Sequence, residues 1–136
     1  MDAGGSGTQR ALVVDDDPGM RRFLELRLGF EGYSVVVAVS GEDALAAMEA
    51  FDPTVVITDV VLPGMDGLSL CRQIRANPRY RRLPILIFTG SEHSGEVGDV
   101  VGLGLIWYMR KGADWAIVAR TLRNLIARAH ELQPAV

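Results

Sequence analysis

Lysine occurs once in these 136 residues, against thirteen arginines, and cysteine also occurs once. A lone Cys71 excludes an internal disulfide, and its place in the apolar pattern Leu68, Cys71, Ile74 assigns it to a buried helix face. No apolar run approaches the roughly 18 residues of a membrane span, and Met1 to Arg10 is polar and Gly-rich with no apolar signal region. The expected location is therefore the cytoplasm, with no membrane partner. Charge of one sign is also scarce: the net charge is -3, the pI is near 5.3, and the arginines are scattered over several segments. That balance argues against direct nucleic-acid binding. A Gly-x-x-x-x-Gly-Lys phosphate loop is missing, and the Gly4 to Gly7 stretch leads into a strand with no helix after it. Neither His93 nor His130 has metal-ligand spacing, and both are expected to be exposed.

What is present fits one domain, since 136 residues at 49% hydrophobic content supply a single core. Short β-branched runs alternate with helical patterns. ALVVD (11–15), YSVVVA (33–38), TVVITD (54–59), PILIFT (84–89) and LIWYM (105–109) read as strands, almost continuously apolar as buried parallel strands are. Asp17 caps a first helix with Pro18 at its opening position, an apolar stripe of Met20, Phe23, Leu24 and Leu28, and Gly32 as a stop. Ser40 with Asp43 resembles a capping box for a second helix, which Asp52-Pro53 closes. A third spans Gly67 to Asn77. A poorly written fourth falls at about 92–103, and a last runs from Asp114 to His130 with Ile117, Val118, Leu122, Leu125 and Ile126 on or near one face. Five such units imply an α/β flavodoxin-like (βα)5 fold, a doubly wound parallel sheet of order 2-1-3-4-5 with right-handed crossovers. Its ligand site lies outside the carboxyl ends of strands 1 and 3.

The residues at those strand ends are Asp15 and Asp16, Asp59, Thr89 and Lys111. Three carboxylates driven together either raise one another's pKa or hold a hard cation, and the cation is the better account. Oxygen-only ligands favour Mg²⁺, with Mn²⁺ the alternative, over zinc. Where background usage so favours arginine, the single lysine at a strand end looks selected: a compact ammonium on a flexible stem pairs with a carboxylate or with an added phosphoryl group. The Thr89 hydroxyl can donate to a phosphoryl oxygen without altering the charge. Taken singly, these residues read as a solvated acidic turn, a turn threonine and a surface lysine. Their joint placement on four strands favours a site.

ALVVDDDPGMRR, VVITDVVLPGMDGL, PILIFTG and WYMRKG, in this order and at these separations, resemble the signature segments of the response-regulator receiver family. The resemblance runs from about Arg10 to Ala129, so the expected organisation is a tail over 1–9, a receiver domain over 10–130, and a tail or start of a linker over 131–136. It implies that Asp59 is the phosphoacceptor and that Asp16, Asp59 and the backbone carbonyl of Val61 bind Mg²⁺, with Asp15 supporting the metal through water. It implies contacts from Lys111, Thr89 and the backbone N–H groups of Val60 and Gly90 to the phosphoryl group. The LPGMDG turn shapes the loop after the acceptor, with Gly64 and Gly67 relaxing its backbone angles. The implied partners are a histidine kinase or phosphotransfer protein and a downstream effector or output domain. Thr89 and Tyr108 would act as the switch on a surface made of the 92–103 helix, strand 5 and the last helix, a surface also open to homodimerisation.

Some residues depart from that family pattern. Gly112 stands where proline usually follows the lysine, which removes the chemical basis for a cis peptide, so the Lys111–Gly112 bond is expected to be trans or heterogeneous. Gly95, Gly98, Gly102 and Gly104 weaken the 92–103 helix. Leu105 replaces a small residue, and Trp107 and Trp115 are expected close to one face. Two rival readings remain: a pseudo-receiver that binds partners without phosphorylation, and a Mg²⁺-dependent aspartyl phosphatase, for which the chain lacks the following threonine and a cap domain.

Overall fold

The first strand, β1 (Arg10–Val14), sends Leu12 and Val14 into one apolar layer and Ala11 and Val13 into another, all four fully buried. Successive side chains on a strand point to opposite faces, so this pattern requires cover on both sides of the sheet. The computed structural model describes residues 8–90 and 102–131, and within them helices pack on both faces of the sheet, leaving the edge strands partly exposed. β2 (Ser34–Ala38), β3 (Val55–Thr58), β4 (Ile85–Thr89) and β5 (Ile106–Arg110) pair in parallel with one another or with β1, in the order β2-β1-β3-β4-β5. Each strand lies within one residue of its expected bounds.

One core layer joins the sheet to α2 (Gly41–Phe51) and α3 (Gly67–Ala76) through Ala44, Met48, Leu68, Leu70, Cys71 and Ile74. The opposite layer joins it to α1 (Pro18–Phe30) and the C-terminal helix (Trp115–Glu131) through Leu24, Leu28, Val118, Leu122, Leu125 and Ile126. Cys71 is buried as expected, and burial pushes its thiol up to about 12, leaving it unreactive at neutral pH.

The helix starts follow local chemistry. Asp17 accepts from the Met20 N–H at 3.1 Å with Pro18 inside the first turn, Ser40 accepts from Asp43 N–H at 3.1 Å, and Asp66 accepts from Ser69 N–H at 2.7 Å. α2 closes on Asp52 in the left-handed region, before Pro53.

Two expected core residues lie elsewhere. Phe23 is 41% exposed and Ile117 44%, because each sits at the margin of its helix's apolar stripe and not over the sheet. Trp107 and Trp115 both lie on the sheet face that the C-terminal helix covers, as expected, but at different places: Trp115 packs edge-on against Phe23 at 6.0 Å and donates to Glu31, whereas Trp107 is exposed on β5 beside Leu125. The helix expected over about 92–103 lies outside the described residues except at its end. There Gly102 and Gly104 take φ of +95° and +88° in a turn leading to β5, which accounts for both glycines without a helix. The Lys111–Gly112 peptide is trans.

Candidate functional site

Asp15 directly follows β1 and Asp59 directly follows β3, and these two strands are neighbours at the point where the chain reverses its direction of winding across the sheet. Thr89 ends β4, and Lys111 follows β5. The parallel register then brings all four to one edge. Lys111 Nζ stands 2.7 Å from Asp15 Oδ2 and 2.7 Å from Asp59 Oδ2. Asp15, Asp59 and Thr89 are buried, while the lysine head is only partly so. This is a compact cluster of two carboxylates around one shared cation.

The remaining oxygens are engaged by backbone. Asp59 Oδ1 accepts from the Val60 N–H at 2.6 Å and the Val61 N–H at 3.3 Å, and Asp15 Oδ1 accepts from the Asp17 N–H at 2.9 Å. Burial alone would raise the Asp59 pKa. Hydrogen bonds from Lys111 and Thr89, the lysine's charge and the Val61 N–H outweigh it and hold the group below the usual carboxylate range. Burial likewise disfavours the Lys111 ammonium, but Asp15 and Asp59 more than restore it and raise its pKa. At neutral pH Asp59 is thus a carboxylate and Lys111 an ammonium.

The other expected residues fall around this centre. Asp16 is exposed beside buried Asp15, and Gly90 is exposed with its Cα next to the Lys111 stem. Val61 faces Asp59 with its N–H. Tyr108 is half-buried on β5 opposite Ile87 and packs on the α2–α3 core layer. His130 is exposed, as expected, and His93 lies outside the described residues.

The donors suit a hard cation in kind: Asp15, Asp16 and Asp59 offer only carboxylate oxygen, and the lone exposed carboxylate, Asp16, has room for water-rich coordination. As they stand, Lys111 is the counter-ion of two of the three. Among the described residues no group of three or more His, Cys, Asp or Glu side chains is gathered as a metal site.

Sequence reasoning missed two supports. Arg21 Nη1 donates to the Asp15 carbonyl at 2.9 Å, tying α1 to the acidic turn; no local signal marks that pairing. Gly67 matters for space and not for backbone angle: unlike Gly64, whose φ is +71°, it is helical, but a Cβ there would stand 1.9 Å from the Asp59 carbonyl oxygen. Its N–H donates to the Val60 carbonyl at 2.8 Å, so α3 starts pressed against the loop after Asp59. Gly67→Ala is expected to destabilise the domain by about 1–3 kcal/mol, the range for overpacking, and toward the upper end because the obstructing atom is backbone. Urea denaturation would check this; a midpoint equal to the parent's would contradict it.

Comparison with known proteins decides the family. The response regulator receiver domain model matches residues 11–123. This chain is a response-regulator receiver domain. The transcriptional regulatory protein AfsQ1 of Streptomyces coelicolor is 35% identical over 119 residues, which are 86% of this chain and 51% of that protein. The chain thus spans about half the length of that curated relative. Among solved structures, the chemotaxis protein CheY4 of Vibrio cholerae superposes with a TM-score of 0.81 at 26% identity, over 88% of this chain and 99% of that one. A CheY-like receiver domain protein from Methanospirillum hungatei shares the fold at a TM-score of 0.85 and 21% identity, over 93% of this chain and 100% of that one. The receiver family is regulatory in role and is not a family of ordinary turnover enzymes. Among the described residues no helix is long and apolar enough to cross a membrane.

Proposed function

We propose that this receiver domain accepts a phosphoryl group on Asp59 from a phosphohistidine of a histidine kinase or phosphotransfer protein, and that the modification alters the surface around β5. The observation that carries this reading is the Lys111 ammonium held 2.7 Å from both Asp15 and Asp59 at the strand ends. A carboxylate is a weak nucleophile toward a charged phosphoryl group, and a fixed cation beside it offsets the repulsion. In the transfer, an Asp59 oxygen forms the new P–O bond as the P–N bond to the donor imidazole breaks. Lys111 and the Thr89 hydroxyl bind the transferred oxygens, and the Val60 and Gly90 N–H groups complete the cradle. Positioning and electrostatics supply most of the rate in such reactions.

Mg²⁺, once bound, would neutralise phosphoryl charge; Asp16, Asp59 and the Val61 carbonyl are the proposed direct ligands, with Mn²⁺ as a substitute. Asp15, buried behind the exposed Asp16, supports it through water. Asp16→Asn is therefore expected to weaken Mg²⁺ binding more than Asp15→Asn. Calorimetric titration of both variants would check the order, and equal loss or the reverse would contradict it.

Thr89 and Tyr108 carry the change outward: the threonine follows the phosphoryl group, and Tyr108, on the neighbouring strand, takes up the space. For a swing from 1:99 to 99:1 the phosphoryl group must favour one surface by about 5.5 kcal/mol. The partner on that surface is a downstream effector or output domain, or a second copy of the chain, acting in the cytoplasm. Intact mass after incubation with acetyl phosphate and Mg²⁺ tests the reading. One added phosphoryl group is expected, and an unchanged mass would favour the phosphorylation-independent interaction module instead.

A further inference from the structure

Arg75 is held in a way that the acceptor site does not require. It lies near the end of α3, partly buried, and among the described residues its guanidinium donates only to backbone carbonyls: Nε to Leu103, Nη1 to Tyr80 at 3.0 Å, and Nη2 to Leu105 at 3.0 Å. Among the described residues no carboxylate pairs with it. A guanidinium is a rigid fork, and one held by three carbonyls from two separate segments fixes those segments relative to each other. Gly104 fits the same arrangement. Its φ is +88°, and a Cβ there would stand 3.3 Å from Arg75 Nε. The carbonyls of Leu103 and Leu105 therefore present themselves to one guanidinium from either side of a glycine that can take the turn.

The two ends of α3 touch different machinery. At its start, Gly67 N–H holds the Val60 carbonyl and its Cα abuts the Asp59 carbonyl. At its end, Arg75 grips the residues that lead straight into β5, the strand that carries Tyr108 and delivers Lys111. Leu105 is shared, since its carbonyl also accepts from the Ile85 N–H at 3.0 Å and so registers β5 against β4. A helix of this length is a stiff rod of about 15 Å.

We propose that α3 is a mechanical tie between the acceptor loop and the entry to β5, with Arg75 as the positioning residue that completes it. This rests on the reading of Asp59 as phosphoacceptor and adds a route through α3 to that through Thr89 and Tyr108. A shift of the loop at Val60–Gly67 is then passed along α3 to Leu103–Leu105, and so to the exposed Trp107 two residues on. Lysine cannot replace the arginine fully, because a single ammonium cannot span three carbonyls set in a fork.

The test uses the full chain carrying Trp115→Phe, so that Trp107 is the sole tryptophan, treated with acetyl phosphate and Mg²⁺ and read by intact mass and Trp107 emission together. In this parent, phosphorylation is expected to shift Trp107 emission. Arg75→Met is expected to take up the phosphoryl group to the same extent but lose most of that shift, and Arg75→Lys to recover part of it. Arg75→Gln, which keeps a donor group, carries the same comparison if the methionine variant does not fold by circular dichroism. A phosphorylated Arg75→Met or Arg75→Gln chain that shows the full parental shift would overturn the tie while leaving the phosphoacceptor intact, as would a phosphorylated parent whose Trp107 does not respond. A parent that takes no phosphoryl group overturns the reading of Asp59, and the tie with it.

Discussion

Asp59→Asn is expected to abolish phosphoryl incorporation from acetyl phosphate while leaving a folded domain. The amide keeps the carboxylate's shape, and its Oδ1 can still accept from the Val60 and Val61 N–H groups that hold the native side chain at 2.6 and 3.3 Å. What disappears is the anionic oxygen 2.7 Å from Lys111. An amide oxygen cannot form a stable acyl phosphate, so the loss should be complete. Lys111 retains Asp15 at 2.7 Å, so no buried charge is stranded. With Oδ1 kept on the backbone, the amide NH2 faces the Lys111 ammonium, which turns toward Asp15, so the stability cost is at least that of one lost hydrogen bond to a charged group, about 1.5–3 kcal/mol. Intact mass and a denaturation curve on the same preparation separate the two effects. Labelling of the folded variant at the parental level would move the acceptor elsewhere, with Asp15 or Asp16 the next residues to substitute.

Asp59's depressed pKa gives this cluster a definite pH signature. A carboxyl whose folded pKa lies below its unfolded value of 3.8 adds stability above that value and loses it as pH falls through the folded pKa. Lys111, raised above 10.5, adds stability below that value and loses it as pH rises through its folded pKa. The cluster's contribution is thus fully present across the whole range between the two ordinary values.

Much of this is legible in the sequence. Each strand is a continuous β-branched run bounded by turn residues, and with cover on both faces such a run has few other places to go, which is why the sheet order and strand bounds were legible. The convergence of Asp15, Asp59, Thr89 and Lys111 followed from that order, since a parallel sheet puts every strand's carboxyl end at one edge. What escaped was geometry between distant segments. Arg75 looks like any surface arginine on a helix, and only the path of Leu103–Leu105 shows that it points inward. Phe23 and Ile117 satisfy the helical period but sit at the rim, because periodicity gives the direction of a face and not its width. Gly67 was noticed for the wrong reason: the sequence marks a glycine, and only the packing of α3 against the Asp59 carbonyl distinguishes want of space from want of backbone freedom.

Lys111→Met is expected to have the largest effect on stability of any single change in the cluster. Methionine is about as long and packs in the same channel, so the substitution removes charge with little change of volume. It leaves Asp15 and Asp59, both buried, facing the position where their shared cation stood. Breaking a buried pair by removing one partner costs about 3–5 kcal/mol, because the remaining charge is uncompensated; the partial exposure of the lysine head places this case toward the lower end. The pH dependence supplies the sharper test. Two carboxylates sharing a low-dielectric pocket raise at least one pKa above its unfolded value. The folded variant then binds more protons than its unfolded chain at mildly acidic pH, so its stability rises as pH falls. The parent's contribution is flat over the same range. Urea denaturation at about pH 5 and about pH 8 should therefore show a smaller gap between parent and variant at the lower pH. A gap that is constant, or that widens on acidification, would mean that Lys111 does not compensate the two carboxylates in the way its 2.7 Å contacts require.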